Sequence, residues 1–250
     1  MKVFVGTSGW SYQEWKGSFY PEKFPQKKML AFYASQFPTV EINNSFYRIP
    51  SEKVLTSWAE QVPPQFRFVV KASRRITHNS RLVETDGSLE YFLRAVNPLG
   101  ERLGPTLFQL PPTFKKDAAR LRDFLGRLPR RWPAALEFRH PSWFDEEVYE
   151  LLHSRDVALV AVDEAESEGM GAPLVATASW GYCRLRRGEY DQRSLDSWAN
   201  QILGRPWREA YVFLKHEDGS PRGPAAAGHL NRLLGIQPVG DQDHTLSQNP

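Results

Sequence analysis

The chain has 250 residues, which suits one large α/β barrel or two small domains, and a 41% hydrophobic content that supports a sizeable core and excludes global disorder. A net charge of +3 is too small for the footprint of a dedicated nucleic-acid protein. No apolar run approaches the ~20 residues of a membrane span, and the single cysteine, Cys183, excludes an internal disulfide and points to a reducing cytoplasm.

In chain order, eight short runs read as buried strands: residues 3–6, 39–43, 66–71, 106–110, 134–138, 157–162, a run within 181–185, and 210–215. Each is rich in β-branched or large apolar side chains, as buried parallel strands are. The first run is too brief for the apolar core of a signal peptide. Between the runs, apolar residues recur at helical spacing and read as core: Met29, Tyr33 and Phe37; then Val54, Leu55, Trp58 and Val62; Leu89, Phe92, Leu93 and Val96; Leu121, Phe124, Leu125 and Leu128; Val148, Leu151 and Leu152; Leu195, Trp198 and Ile202; and Leu230, Leu233 and Leu234. Ser51, Asp145 and Ser194 mark helix starts, because their side chains accept a hydrogen bond from an orphan helix N–H. Residues 164–173 show little periodicity, so the sixth helix is expected to be short or missing. Residues 237–250 are polar and read as a flexible tail.

Alternating strands and helices predict a parallel sheet. Eight strands in this length predict a single TIM-type (β/α)8 barrel over residues 1–236. An open doubly wound sheet is the weaker alternative, since Gly6-Thr7-Ser8-Gly9 lacks the full glycine fingerprint of a dinucleotide site.

Alternate side chains of a strand share a face, and this rule gathers polar residues at one end of the barrel. Glu41 and Asn43 share a face of the second strand, Lys71 ends the third, and Gln109 lies near the end of the fourth. Glu137 and Arg139 share a face of the fifth, Asp163 follows the sixth, Arg184 lies in the seventh and Lys215 ends the eighth. Ile42, Val70, Phe108, Phe138, Val162 and Leu214 are expected to face the helices, as is Cys183. Buried unpaired charges are costly, so the polar set must pair, meet water or meet a ligand. The C-terminal end of barrel strands is also where α/β barrels do their chemistry.

Glu137 is the leading general acid/base candidate, with Glu41, Asp163 and His78 beside it. Lys71, Arg139, Arg184 and Lys215 outnumber the three carboxylates by one and suit a phosphate, sulfate or carboxylate ligand. Trp10, Tyr12, Tyr47, His140 and Trp143 are candidates to wall a pocket and stack on a ring. No cofactor is expected. The histidines show no metal-binding spacing, while the carboxylates leave Mg²⁺ or Mn²⁺ open. The arginine-dense stretches Arg74-Arg75, 127–131 and 184–187 read first as solvated surface, and secondarily as a contact for nucleic acid.

These segments together resemble the domain-of-unknown-function family 72, also called YecE-like. The resemblance rests on Gly6-Thr7-Ser8-Gly9-Trp10-Ser11-Tyr12, Phe19-Tyr20-Pro21 and Glu41-Ile42-Asn43-Asn44-Ser45-Phe46-Tyr47-Arg48. It continues through Phe68-Val69-Val70-Lys71, Ile76-Thr77-His78, Leu107-Phe108-Gln109-Leu110-Pro111-Pro112 and Glu137-Phe138-Arg139-His140-Pro141-Ser142-Trp143. It implies a TIM-type barrel with a shared polar pocket and supplies no reaction. The last third departs from the common family pattern: Arg186 stands where many members carry histidine, and Lys215-His216-Glu217 replaces an aromatic with two asparagines. The expected function is acid–base cleavage, of hydrolase or lyase type, of an anionic or sugar-like substrate. The alternatives are a nucleic-acid-binding protein or endonuclease IV-like phosphodiesterase, and a non-catalytic small-molecule-binding barrel.

Overall fold

A computed structural model of the chain describes residues 1–83, 86–164, 171–215 and 222–236. The proposed tail 237–250, His216 and Glu217 lie outside the described residues. Eight strands are present: β1 (Lys2–Thr7), β2 (Thr39–Ile42), β3 (Arg67–Lys71), β4 (Leu103–Gln109), β5 (Ala134–Glu137), β6 (Ala158–Asp163), β7 (Trp180–Leu185) and β8 (Glu209–Leu214). All hydrogen-bonded neighbours run parallel, in the order β1-β8-β7-β6-β5-β4-β3-β2, which is a nearly closed TIM-type barrel.

The seam between β1 and β2 is closed by a bridge between Ser8 and Glu41 and by one tyrosine. The Tyr33 hydroxyl accepts from the Thr7 N–H at 2.8 Å and donates to the Thr39 carbonyl at 3.1 Å, standing in for a ladder bond. A Cβ at Gly6 would lie 2.1 Å from the Thr39 oxygen, so the two strands can approach only because position 6 has no side chain.

Tyr33 belongs to α1 (Met29–Gln36), the first of seven α-helices among the described residues; the others are α2 (Glu52–Glu60), α3 (Ser88–Val96), α4 (Ala118–Arg127), α5 (Glu146–His153), α6 (Gln192–Leu203) and α7 (Arg222–Leu233). Asp117, Asp145 and Asp191 cap α4, α5 and α6 by accepting from the N–H groups of Arg120, Val148 and Ser194. The expected start at Ser194 therefore moves to Asp191, and Ser51 precedes α2 without a side-chain capping bond. Among the described residues no helix separates β6 from β7; Ala172 instead pairs with Val162.

Two apolar layers follow from strand alternation. Phe4, Val69, Leu107, Ala135, Val160, Tyr182, Tyr211 and Phe213 fill the barrel interior, with Phe4 stacked on Tyr211 at 4.7 Å. Val5, Ile42, Val70, Phe108, Leu136, Leu159, Ala161, Cys183, Val212 and Leu214 pack against the helices. The β6 phase is opposite to the expected one: Ala158, Val160 and Val162 point inward, which sends Asp163 outward.

Candidate active site

The C-terminal ends of the strands hold one continuous polar chain. Glu41, at the end of β2, is fully buried. Its Oε1 accepts from Ser8 Oγ at 2.8 Å, Asn43 Nδ2 at 2.9 Å and Arg184 Nη2 at 2.9 Å, and its Oε2 accepts from the Tyr182 hydroxyl at 2.6 Å. Arg184 also donates through Nη1 to Glu137 Oε2 at 2.6 Å. Glu137 Oε1 accepts from Gln109 Nε2 at 2.7 Å, and Gln109 Oε1 accepts from Lys71 Nζ at 2.8 Å. Lys71 Nζ lies 4.4 Å from the ring centroid of Phe46, and His78 meets the same ring edge-on at 4.8 Å.

Local structure fixes these groups. Ser45 Oγ donates to the Lys71 carbonyl at 2.7 Å, so the 3₁₀ turn Asn44–Phe46 that places Phe46 also ties down the end of β3. His78 sits on a single π-helical turn, Arg75–Asn79, and its Nδ1 is 2.9 Å from Thr77 Oγ1. Such turns recur at functional sites because they displace one residue from the helical repeat.

The electrostatics separate fixed charges from titratable ones. Burial opposes ionisation of Glu41, but Arg184 and the donors Tyr182, Ser8 and Asn43 outweigh it and hold its pKa at about 2. For Glu137, too, burial is overcome by Arg184, Arg186, Lys71 and Gln109, so its pKa is lowered. Burial works the other way on Lys71: helped by Arg184, and opposed by Glu137 and Glu41, it lowers the amine to about 8. His78 is lowered to about 4 by burial and by Lys71, Arg74 and Arg139, so it is neutral at pH 7.

The expected residues are therefore brought together selectively. Glu41, Asn43, Lys71, Gln109, Glu137 and Arg184 form the chain, with His78 at its rim. Arg139 stands nearby, its Nη2 4.0 Å from Glu164 Oε2. Asp163 does not join them: it accepts from Arg187 Nε at 2.7 Å and from Trp198 Nε1 at 2.8 Å, an interaction with α6 outside the barrel. Lys215 lines a separate cavity of about 230 Å³ with Tyr190, Arg222 and His229. Trp143 is fully buried, stacks on Phe138 at 4.6 Å and donates to the Phe114 carbonyl, so it is core and not pocket wall. His140 caps the 3₁₀ turn Pro141–Trp143, accepting from the Ser142 N–H. Trp10 and Tyr12 line a side cavity of about 800 Å³ that reaches Asn43, and Tyr47, though 75% exposed, meets the Phe46 ring edge-on at 5.0 Å and lines a separate surface cavity with Arg75 and Tyr91.

Ser8, Tyr182, Glu164 and Arg186 are members of the site that sequence reasoning did not single out as such. Tyr182 was within reach, because it lies two residues before Arg184 and so shares its face. Glu164 pairs with Arg186 at 3.0 Å, and the inward phase of β6 needed to expect it is not legible in an all-apolar strand. The expected balance of Lys71, Arg139, Arg184 and Lys215 against Glu41, Glu137 and Asp163 is not the set found: Lys215 and Asp163 lie elsewhere, and Arg186 and Glu164 stand at this end in their place. Among the described residues no cluster of three His, Cys, Asp or Glu side chains is placed to hold a metal. A divalent ion at Glu41 or Glu137 would have to displace Arg184.

A model of the family described as "Protein of unknown function DUF72" matches residues 4–249. The chain belongs to the DUF72 family. Curated relatives agree. The UPF0759 protein YunF of Bacillus subtilis is 30% identical over 230 residues, 86% of this chain and 78% of that protein. The UPF0759 protein YecE of Escherichia coli K12 is 33% identical over 167 residues, 64% of this chain and 59% of that protein. A solved DUF72 structure from Thermotoga maritima superposes with a TM-score of 0.83 at 30% identity, covering 94% of this chain and all of the other. One from Enterococcus faecalis, at 19% identity and a TM-score of 0.77 over 94% of this chain and 96% of the other, shares the fold. The DUF72 segments Gly6 to Tyr12, Glu41 to Arg48 and Leu107 to Pro112 thus acquire a physical role. They supply Ser8, Glu41, Asn43 and Gln109 to one hydrogen-bonded chain, and Phe46 as the ring over which Lys71 Nζ lies.

Proposed function

We propose that this DUF72 barrel is an enzyme. It takes a small anionic or sugar-like molecule at the C-terminal ends of its strands and cleaves it by acid–base chemistry of hydrolase or lyase type. The observation that carries this reading is the buried chain from Glu41 to Lys71, which leaves Arg184 Nε and Asn43 Oδ1 without a hydrogen-bond partner among the described residues. Buried polar atoms are almost always satisfied, so a donor and an acceptor left open in one cluster favour a ligand or ordered water there. The cation excess makes an anion the better occupant.

In this reading the roles differ from those suggested by residue type. Glu41 and Glu137 are held ionised, with all four oxygens engaged, and serve to fix Arg184. Proton transfer falls to the groups whose charge can change, His78 as a neutral base and Lys71 as an amine near its midpoint at physiological pH. Arg139 and Arg186, both half-buried and sharing Glu164, receive the anionic part of the substrate. A reducing cytoplasm suits the lone buried Cys183. The test is a turnover screen of phosphate esters, sugar acids and glycosides, repeated with His78→Gln and Glu137→Gln. Turnover that falls at least about 100-fold in His78→Gln supports the assignment, and turnover unchanged in both variants removes this site from the mechanism.

A further inference from the structure

We infer that Lys71 is a covalent site: its Nζ adds to the carbonyl carbon of an anionic aldehyde or ketone and forms an imine. The inference rests on the reading of this barrel end as the working site, and it names the substrate class and the bond that is made.

The geometry around Lys71 is unusual for a lysine that only neutralises charge. It projects from the end of β3, is mostly buried, and takes the face of Phe46 and one amide oxygen in place of a carboxylate. Gln109 is oriented by Glu137, which accepts from its Nε2, so the amide must present Oε1 to the amine. An amide oxygen positions the amine without pinning its proton as a carboxylate would. Burial first, and then the guanidinium of Arg184, lower the amine to about 8 against the opposing pull of Glu137 and Glu41. A desolvated lysine beside another cation is a recognised way of activating an amine nucleophile. Arg139 and Arg186 lie at the same end and suit a carboxylate or phosphate on the carbonyl compound.

The step balances without an external oxidant or reductant. The Nζ lone pair attacks the carbonyl carbon to give a carbinolamine. The carbonyl oxygen then leaves as water carrying the two hydrogens of the neutral amine, and C=N replaces C=O. An iminium formed by protonation there withdraws electrons from the neighbouring carbon–carbon bond, which is the chemistry a lyase of this class needs.

Reductive trapping tests this on the unmodified full chain. The protein is treated at pH 7 with glyoxylate and cyanoborohydride, which converts an imine irreversibly to a carboxymethyl amine, and the modified lysines are mapped by peptide mass spectrometry. Exposed Lys53 on α2 is the internal reference. The expected result is modification of Lys71 about tenfold faster than Lys53, because burial and Arg184 lower the Lys71 amine to about 8. Its rate should also rise with pH to a midpoint near 8. Modification of Lys71 no faster than Lys53 overturns the imine. That outcome leaves the acid–base reading to its own turnover screen, which does not depend on trapping; turnover without trapping would overturn the imine alone.

Discussion

Arg184 binds two buried carboxylates at once, so its removal leaves both uncompensated. Arg184→Met is expected to destabilise the fold by about 3–5 kcal/mol, measured as a lower urea midpoint. Arg139→Ala, removing a half-exposed group from a 4.0 Å pair, should cost less than about 1 kcal/mol. Equal losses would show that Arg184 is not the hub. The pH dependence follows from the two shifted groups. Glu41 is lowered from 4.5 to about 2, so the unfolded chain binds its proton first as pH falls. Its contribution is complete above pH 4.5 and is lost on the way down to pH 2, and Glu41→Gln should flatten that acid limb. Lys71 has the opposite consequence. Its amine is lowered from 10.5 to about 8, so the unfolded chain binds more protons between those values and stability rises with pH across them. Below pH 8 the folded state carries an ammonium whose burial and repulsion by Arg184 are only partly offset by Glu137 and Glu41. Lys71→Met is therefore expected to stabilise at pH 7 by about 1–3 kcal/mol while abolishing any turnover. A Met variant less stable than the parent at pH 7 would show that the lysine is structural.

At the scale of elements, closure of the barrel depends on the β1–β2 seam. Tyr33 supplies the hydroxyl that joins Thr7 to Thr39, and the absence of a side chain at Gly6 lets the strands meet. Tyr33→Phe should cost about 1–3 kcal/mol by leaving a buried N–H and a carbonyl unsatisfied. Gly6→Ala should cost more, because its Cβ meets backbone at 2.1 Å and not a movable side chain. Thermal unfolding of both variants checks the order; a neutral Gly6→Ala would mean the seam is loose. The positions of all eight strands were legible in sequence because parallel strands buried on both faces stand out as short apolar runs. Their phases were legible only where a polar residue marked the inner face, as in β2 and β7. In β6 every residue before Asp163 is apolar, so alternation has no marker. The partners that draw Asp163 outward, Trp198 and Arg187, are 35 and 24 residues away in sequence. Glu164 occupies the inward position instead.

Across the whole molecule, polar groups that lie far apart in sequence converge on one end of the barrel. Tyr182 and Glu41, 141 residues apart, meet at 2.6 Å. The existence of that end, and six of the residues in its central chain, followed from strand alternation alone. The pairing did not: that Arg184 would be shared between Glu41 and Glu137, leaving Lys71 with an amide, depends on side-chain lengths and barrel stagger that no local pattern encodes. The arginine-dense stretch 184–187, expected to be solvated surface, joins this end through the buried Arg184, whereas 127–131 behaves differently. Arg130, Arg131, Arg155 and Arg208 line a cavity of about 1020 Å³ at the N-terminal end, remote from the carboxylate chain. The molecule thus presents anion-attracting groups at both ends, of which the C-terminal one is the proposed working site. The most direct test is a crystal structure of the full chain grown with phosphate or sulfate. An anion is expected at the C-terminal strand ends, held by Arg139 or Arg186 and within reach of Lys71 Nζ. Anions confined to the N-terminal arginines, with Arg139 and Arg186 fully paired to Glu164 and only water near Lys71, would contradict it.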